Sequence, residues 1–115
     1  MKESDVFHLI GSLANGQVYM DIVPLNDAGK PAVAPPWITF TFVSQSYGDT
    51  FCSPAEETTF VQVDVYSRSV EESRELREQV VIGLTPLQFT RMSKTGGYEP
   101  DTKLRRATLE ISVQQ

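Results

Sequence analysis

Two segments of the chain alternate between apolar and other side chains so regularly that they predict strands of a sheet with one buried face. Residues 37–45 carry large apolar side chains at positions 38, 40 and 42, and residues 57–66 carry a row of valines at the same spacing. A period of two matches a strand, whose successive side chains point to opposite faces. The predicted buried rows are Ile38, Phe40 and Phe42, and Val61, Val63 and Val65.

Two further segments have the helical period and can cover that face. Residues 4–14 repeat apolar side chains every three to four positions, and Ser4 or Asp5 is the predicted N-cap. Asn15-Gly16 can adopt the left-handed backbone conformation in which helices commonly end. Residues 69–84 form the second predicted helix, because Ser69 opens a Ser-x-x-Glu capping box and Thr85-Pro86 ends the segment. The apolar spines are Val6, Leu9, Ile10 and Leu13, and Val70, Ser73, Leu76, Val80 and Leu84.

Three weaker strands complete the prediction. Residues 17–23 would place Val18, Met20 and Ile22 on one side, and residues 87–92 and 104–113 would form the last two strands. Between these two, Gly96-Gly97 predicts a flexible, exposed tip. The element order α-β-β-β-α-β-β predicts one α+β domain over residues 1–115. Its sheet would be antiparallel-dominated, with four to five strands and two helices packed on one face. The order of the strands stays open.

The segment 24–36 stands out among the connections, since it holds four of the seven prolines. Proline lacks an amide hydrogen and restricts the residue before it, so this segment is predicted to be long and stiff. Connections of that length in compact domains are uncommon and often functional.

The residues that catalysis needs are scarce. His8 is the only histidine and Cys52 the only cysteine, and neither has a partner at the spacing of a zinc site or a nucleophile–base pair. Phosphate-binding and serine-nucleophile motifs are missing as well. The acidic pairs Glu56-Glu57 and Glu71-Glu72 are predicted to be structural or solvating. We therefore predict a protein that is not an enzyme and has no cofactor and no metal.

The charge balance disfavours nucleic acid as a direct partner, and the distribution of apolar residues disfavours a membrane. The chain has 15 Asp and Glu against 10 Lys and Arg, a net charge of −5, and one local basic spot at Lys103, Arg105 and Arg106. A basic face for sequence-specific nucleic-acid binding needs more clustered cations than this. The sequence contains no apolar run of roughly 18 residues that could span a membrane.

The second face of the valine strand is the most informative surface. It carries Phe60, Gln62, Asp64 and Tyr66, a mixture that suits either solvent or a protein partner. Asp64 is interpreted as a solvent-facing residue or, alternatively, as the partner of Arg106 or Arg105 on the last strand, within the sheet or across a subunit boundary.

Three local patterns in this order resemble the tail completion family of tailed phages and prophages, which is related to tail terminator and head–tail joining proteins. The first is Val18-Tyr19-Met20-Asp21-Ile22-Val23-Pro24 after a short helix. The second is Pro35-Pro36-Trp37 at the start of an aromatic strand. The third is Val61-Gln62-Val63-Asp64-Val65-Tyr66 before a Ser-capped helix. The resemblance covers almost the whole chain.

The resemblance implies a structural protein of the virion that is present in the host cytoplasm during assembly. Members of the family form rings, commonly hexamers, at the head-proximal end of the tail, and an isolated copy can be monomeric. The implied partners are further copies, the major tail tube protein and the head–tail connector protein, with DNA passing through the ring lumen. The candidate interface residues are Phe60, Gln62, Asp64, Tyr66, Arg106, Gly97 and Tyr98.

Two other functions stay open at this stage. One is a different phage part, such as a head–tail adaptor or a minor tail protein, which would bind another neighbour. The other is an α+β protein that binds a small molecule, which would need a deep pocket with converging polar groups.

Overall fold

A computed structural model describes residues 1–47 and 57–114, with side chains described for residues 1–44 and 58–114. Cys52 and Glu56 lie outside these residues. The helices and strands are α1 Glu3–Ile10, β1 Val18–Met20, β2 Trp37–Tyr47, β3 Glu57–Ser67, α2 Val70–Leu84, β4 Arg91–Glu99 and β5 Leu104–Gln114. Short 3-10 turns occupy Ala14–Gly16 and Thr85–Leu87. The predicted α+β class and element order are confirmed.

Within the described residues the strands form one sheet in the order β1-β2-β3-β5-β4. Only β1 and β2 pair in parallel, and the other neighbours are antiparallel. The antiparallel-dominated sheet is therefore as predicted. After α2 the chain enters the sheet again at its edge, as β4. The β4–β5 hairpin then reverses the chain, so that β5, and not β4, lies beside β3.

Both helices pack on one face of this sheet. The two predicted rows of β2 and β3 meet the inward row of β5, so that Phe40 lies opposite Val63, and Val63 opposite Leu109. A side chain at Gly83 would place its Cβ 3.2 Å from both Ile10 Cγ2 and the Leu9 carbonyl oxygen, so glycine allows α1 and α2 to approach closely. The buried core consists of Val6, Ile10, Ala14, Val18, Ile38, Phe40, Val61, Val63, Val65, Val80, Leu84, Ala107, Leu109, Ile111 and Val113.

The helix caps agree with the prediction at α2 and differ at α1. The Ser69 side chain accepts a hydrogen bond from the Glu72 amide at 3.0 Å, as the capping box predicts. In α1, Lys2 occupies the cap position in place of Ser4 or Asp5, and its amide donates to the Asp5 carboxylate at 2.8 Å. The helix ends at Ile10, before the predicted residue 14, and the left-handed Asn15 and Gly16 belong to the following 3-10 turn.

The predicted strand at 87–92 and the predicted tip at Gly96-Gly97 are wrong. Strand β4 runs over Arg91–Glu99, and its two glycines lie inside it, opposite Ala107 and Arg106. The turn comes later, where the Lys103 amide donates to the Glu99 carbonyl at 2.7 Å. Strand β4 lies at the sheet edge and is mostly exposed on both faces, so its sequence needs no apolar alternation and gives little strand signal.

The predicted strand 17–23 is shorter than expected. It stops at Met20 because Asp21 adopts a positive φ of 67°, which turns the chain away from β2. Met20 and Ile22 are consequently exposed, whereas Val18 is buried in the main core and Val23 is buried elsewhere. Among the described residues, no helix has both the length and the apolar character needed to cross a membrane.

Candidate assembly interface

The face of the sheet that points away from α1 and α2 is here called the open face. The cross-strand register places four rows on it, centred on alternate residues of β3. From one end to the other, the rows are Ser44, Phe60 and Ser112; Thr41, Gln62 and Glu110; Thr39, Asp64 and Thr108; and Trp37, Tyr66 and Arg106. Five of the seven candidate interface residues thus share this face, and Gly97 lies opposite Arg106 at its edge.

One end of the open face is covered by the chain itself. The proline-rich segment folds over it, and Val23 and Val33 pack with Trp37, Leu104 and Tyr66 in a second, smaller core. The Trp37 side chain is only 3% exposed, and its ring stacks on Tyr66 with centroids 5.6 Å apart. Tyr66 therefore holds a loop of its own chain, a role that the sequence prediction missed. Val33 in the proline-rich segment and Val23 directly before it were the available signal.

Asp64 forms hydrogen bonds with neighbours on the open face. Its carboxylate accepts one from the Thr108 hydroxyl at 2.6 Å and one from the Gln62 side-chain amide at 3.0 Å. The alternative pairing with Arg106 or Arg105 is wrong within the subunit. Arg106 instead forms a salt bridge with Glu99, and Arg105 lies over the Tyr98 ring, 4.7 Å from its centroid.

The Asp64–Thr108 contact is expected to stabilise the fold measurably. Asp64→Ala leaves the buried Thr108 hydroxyl without its acceptor, which should cost about 1–3 kcal/mol of unfolding free energy. In Asp64→Ala/Thr108→Val the loss should be smaller than the sum of the two single losses, because no orphaned hydroxyl remains. Urea denaturation of the three variants gives the coupling energy, and strictly additive losses would contradict the assigned bond.

Gly97 and Tyr98 lie on different sides of the sheet. A Cβ at Gly97 would come within 2.7 Å of a guanidinium nitrogen of Arg106, so glycine leaves the space through which Arg106 reaches Glu99. Tyr98 points to the helix side, where it contacts Arg105. Gly97 and Tyr98, which the sequence prediction listed together as candidate interface residues, therefore cannot belong to one surface.

Burial raises the pKa of Tyr66 above its ordinary value, and the charges of Asp64 and Glu99 raise it further. An unfolded tyrosine releases its proton near pH 10, whereas folded Tyr66 holds it to higher pH. This contribution to stability is full below about pH 10 and falls as the pH rises through the folded pKa. Phenylalanine has no proton to release. When the pH is raised from about 8 to about 11, we therefore expect the free energy of unfolding to fall less in Tyr66→Phe than in wild type. Urea midpoints at both values measure this, and parallel losses would contradict it.

The other end of the open face is an apolar groove of about 650 Å³, here called the Phe60 groove. Its exposed apolar side chains are Val43 and Phe60, and Arg91 and Glu110 line it as well. Met92 also borders the groove, but its pairing with Ile111 directs its side chain to the helix side of the sheet. Val43 belongs to it because the register between β2 and β3 shifts between Phe42 and Ser44. Exposed apolar surface of this kind is typical of protein contacts. The sequence prediction included Phe60 but missed Val43.

The described residues offer little for catalysis. No group of three or more His, Cys, Asp or Glu in that part of the chain could hold a metal ion. His8 lies exposed on the surface of α1.

Comparison with known proteins identifies the family and the fold of the chain. The model of the family "Tail completion protein gp17" matches residues 8–114. A chain of the structure "Virion of native gene transfer agent (GTA) particle" has a similar fold, with a TM-score of 0.57 at 12% identity. The alignment covers 97% of this chain and 84% of that chain, and at this identity it concerns the fold alone. No curated protein matches the sequence.

The family match spans nearly the whole sequence and includes the three patterns on which the resemblance was based. The chain therefore belongs to the tail completion protein gp17 family and is a structural component of a phage-type virion tail.

Proposed function

We propose that this protein closes the head-proximal end of the tail as a hexameric ring and joins it to the head connector. The observation that carries the proposal is the family match over residues 8–114, to which the fold adds an open face with an exposed apolar groove. The proposed activity is the presentation of surfaces to other proteins, without a bond being made or broken.

A closed ring needs a heterologous contact, in which one patch of each copy meets a different patch of the next. The tail tube and the head connector need surfaces of their own. We assign the Phe60 groove to the major tail tube protein, because an exposed aromatic residue in an apolar depression is a typical anchor of a protein interface. The hydrogen-bonded rows of Gln62 and Asp64 then form its polar border.

The charge of the ring suits a channel for DNA. With a net charge of −5 per copy, a hexamer repels the phosphate backbone, so that DNA passes through the lumen without adhering. A ring structure whose lumen is lined by Arg and Lys would contradict this part of the proposal.

Reconstitution with tail tubes tests the function. We expect the purified protein to cap one end of preformed tubes, to stop their growth, and to make them competent to join heads, as seen by negative-stain electron microscopy. Light scattering at several concentrations measures self-association without the tube. Binding to head connectors alone, with tubes left uncapped, would instead show a head–tail adaptor.

A further inference from the structure

Four arginines line a groove of about 450 Å³ between α2 and the β4–β5 hairpin. Arg74 and Arg77 come from α2, Arg105 and Arg106 come from β5, and Tyr98 forms part of the wall. We call this site the arginine groove. It lies on the helix side of the sheet, away from the Phe60 groove, and the function proposed above does not use it.

The arginine groove is held in position, and among the described residues only Arg106 of its four arginines forms a salt bridge, with Glu99. Arg77 donates to the Thr95 carbonyl at 2.7 Å, while its Nε atom is buried without a hydrogen-bond partner among the described residues. Arg105 is held against the Tyr98 ring. Within residues 1–47 and 57–114, neither Arg74 nor Arg105 forms a salt bridge, and the nearby Glu78 pairs with Lys94 instead. Arg74 and Glu78, one turn apart on α2, therefore form no salt bridge there, and the residues that line the groove keep a net positive charge.

The opposite flank of the same helix is acidic and polar. Glu72 and Glu75 line a depression of about 380 Å³ with Ser12, Asn15 and Gln79. At 100° per residue, Arg74 and Arg77 project toward β4, whereas Glu72, Glu75 and Gln79 project to the other side of α2. We call this surface the acidic flank. One helix thus presents opposite charges on the two sides of the molecule.

We infer that the acidic flank of one copy docks into the arginine groove of the next. This inference rests on the proposed ring and supplies its lateral contact. Two different, complementary patches on opposite sides are what a head-to-tail ring requires. Arginine pairs with carboxylates through two parallel hydrogen bonds, which would fix the angle between copies as well as their affinity.

Charge decides between a second copy and nucleic acid as the occupant. Both offer anionic oxygens to arginine. A phosphate backbone would have to approach a protein with 15 acidic and 10 basic side chains, whose overall field repels it. The acidic flank is present on every copy, and its two carboxylates are spaced three positions apart on one helix. A second copy is therefore the occupant that the charges favour.

Complementary charge reversal tests the inference. The groove variant carries Arg74→Glu and Arg105→Glu, and the flank variant carries Glu72→Arg and Glu75→Arg. We expect each variant alone to self-associate at least about tenfold more weakly than wild type at low salt. A mixture of the two should recover association, because one junction then has the wild-type charges and the other has both charges reversed. Sedimentation velocity and ring occupancy on tail tubes measure the effect, and thermal melts confirm the fold. Glu75→Arg alone leaves the Ser67–Glu72 contact in place and serves if the double flank variant unfolds.

Each outcome has a distinct meaning. Weakened variants with recovery in the mixture support the inference. Wild-type rings that persist in both variants overturn it while the proposed ring stands. A wild type that never forms multimers, alone or on tubes, overturns both, and this is seen without any variant. A last outcome would show that nucleic acid is the occupant, and the inference would fail. In that case wild type binds a short DNA duplex, the groove variant does not bind it, and the two proteins self-associate equally.

Discussion

Replacing Phe40 with alanine is expected to lower the free energy of unfolding by about 3–5 kcal/mol. Phe40 is 2% exposed and lies opposite Val63 in the core beneath the two helices. Truncation removes the transfer free energy of the ring and leaves a cavity that a sheet held by backbone pairing on both sides cannot close. Urea denaturation followed by far-ultraviolet circular dichroism measures the loss.

Phe60→Ala provides the matched control, since it makes the same truncation on the neighbouring strand. Phe60 is 39% exposed and points to the open face, so we expect a loss below about 1 kcal/mol. Equal losses in the two variants would show that the core does not lie between the sheet and the helices.

Replacing Phe60 with lysine is expected to weaken binding to the tail tube strongly while the fold is retained. The change places a charge in the Phe60 groove, whose other exposed apolar side chain is Val43. Aromatic anchors of protein interfaces commonly contribute about 2 kcal/mol or more, so binding should weaken at least about 30-fold. Capping of tubes, counted by electron microscopy against protein concentration, measures the loss.

Ile82→Lys is the control for this experiment. Ile82 is an exposed apolar residue near the end of α2, 69% accessible and on the opposite side of the molecule from the open face. Its replacement adds the same charge without touching the groove, and lysine is well tolerated near a helix C-terminus. If both variants cap tubes as well as wild type, the Phe60 groove is not the surface that binds the tail tube.

The parts of the fold that the sequence predicted best are those with a buried, periodic face. The alternation that starts at Ile38 and Val61 gave the correct faces of β2 and β3, and Ser69 marked the start of α2. In these elements local pattern and tertiary burial select the same conformation, so either one is enough to identify the element.

Strand β4 shows where that agreement ends. Gly96 and Gly97 favour a turn by themselves, yet both are held in a ladder by the backbone of β5. Pairing between segments about ten residues apart outweighs local preference here, and an exposed edge strand has no buried row that would reveal it. Local sequence therefore could not place the end of the hairpin.

The sequence predicted which face of the sheet the candidate residues occupy, but not which residues they contact. Alternation alone puts Phe60, Gln62, Asp64 and Tyr66 on one side of β3. The partner of Asp64 depends on the register of β5, which sets Thr108 opposite it and moves Arg106 one row away, opposite Tyr66. A shift of two residues would have produced the alternative ion pair, and nothing in either strand alone fixes that shift.

The stack of Trp37 on Tyr66 gives the molecule an internal optical probe. Trp37 is the only tryptophan, and the segment that bears Val23 and Val33 shields it from water. Its emission is therefore expected to shift to the red when that segment lifts from the sheet, and no other indole of this chain contributes to the signal. A red shift on addition of tail tubes would show that the covering segment opens during attachment, and an unchanged spectrum that it stays closed.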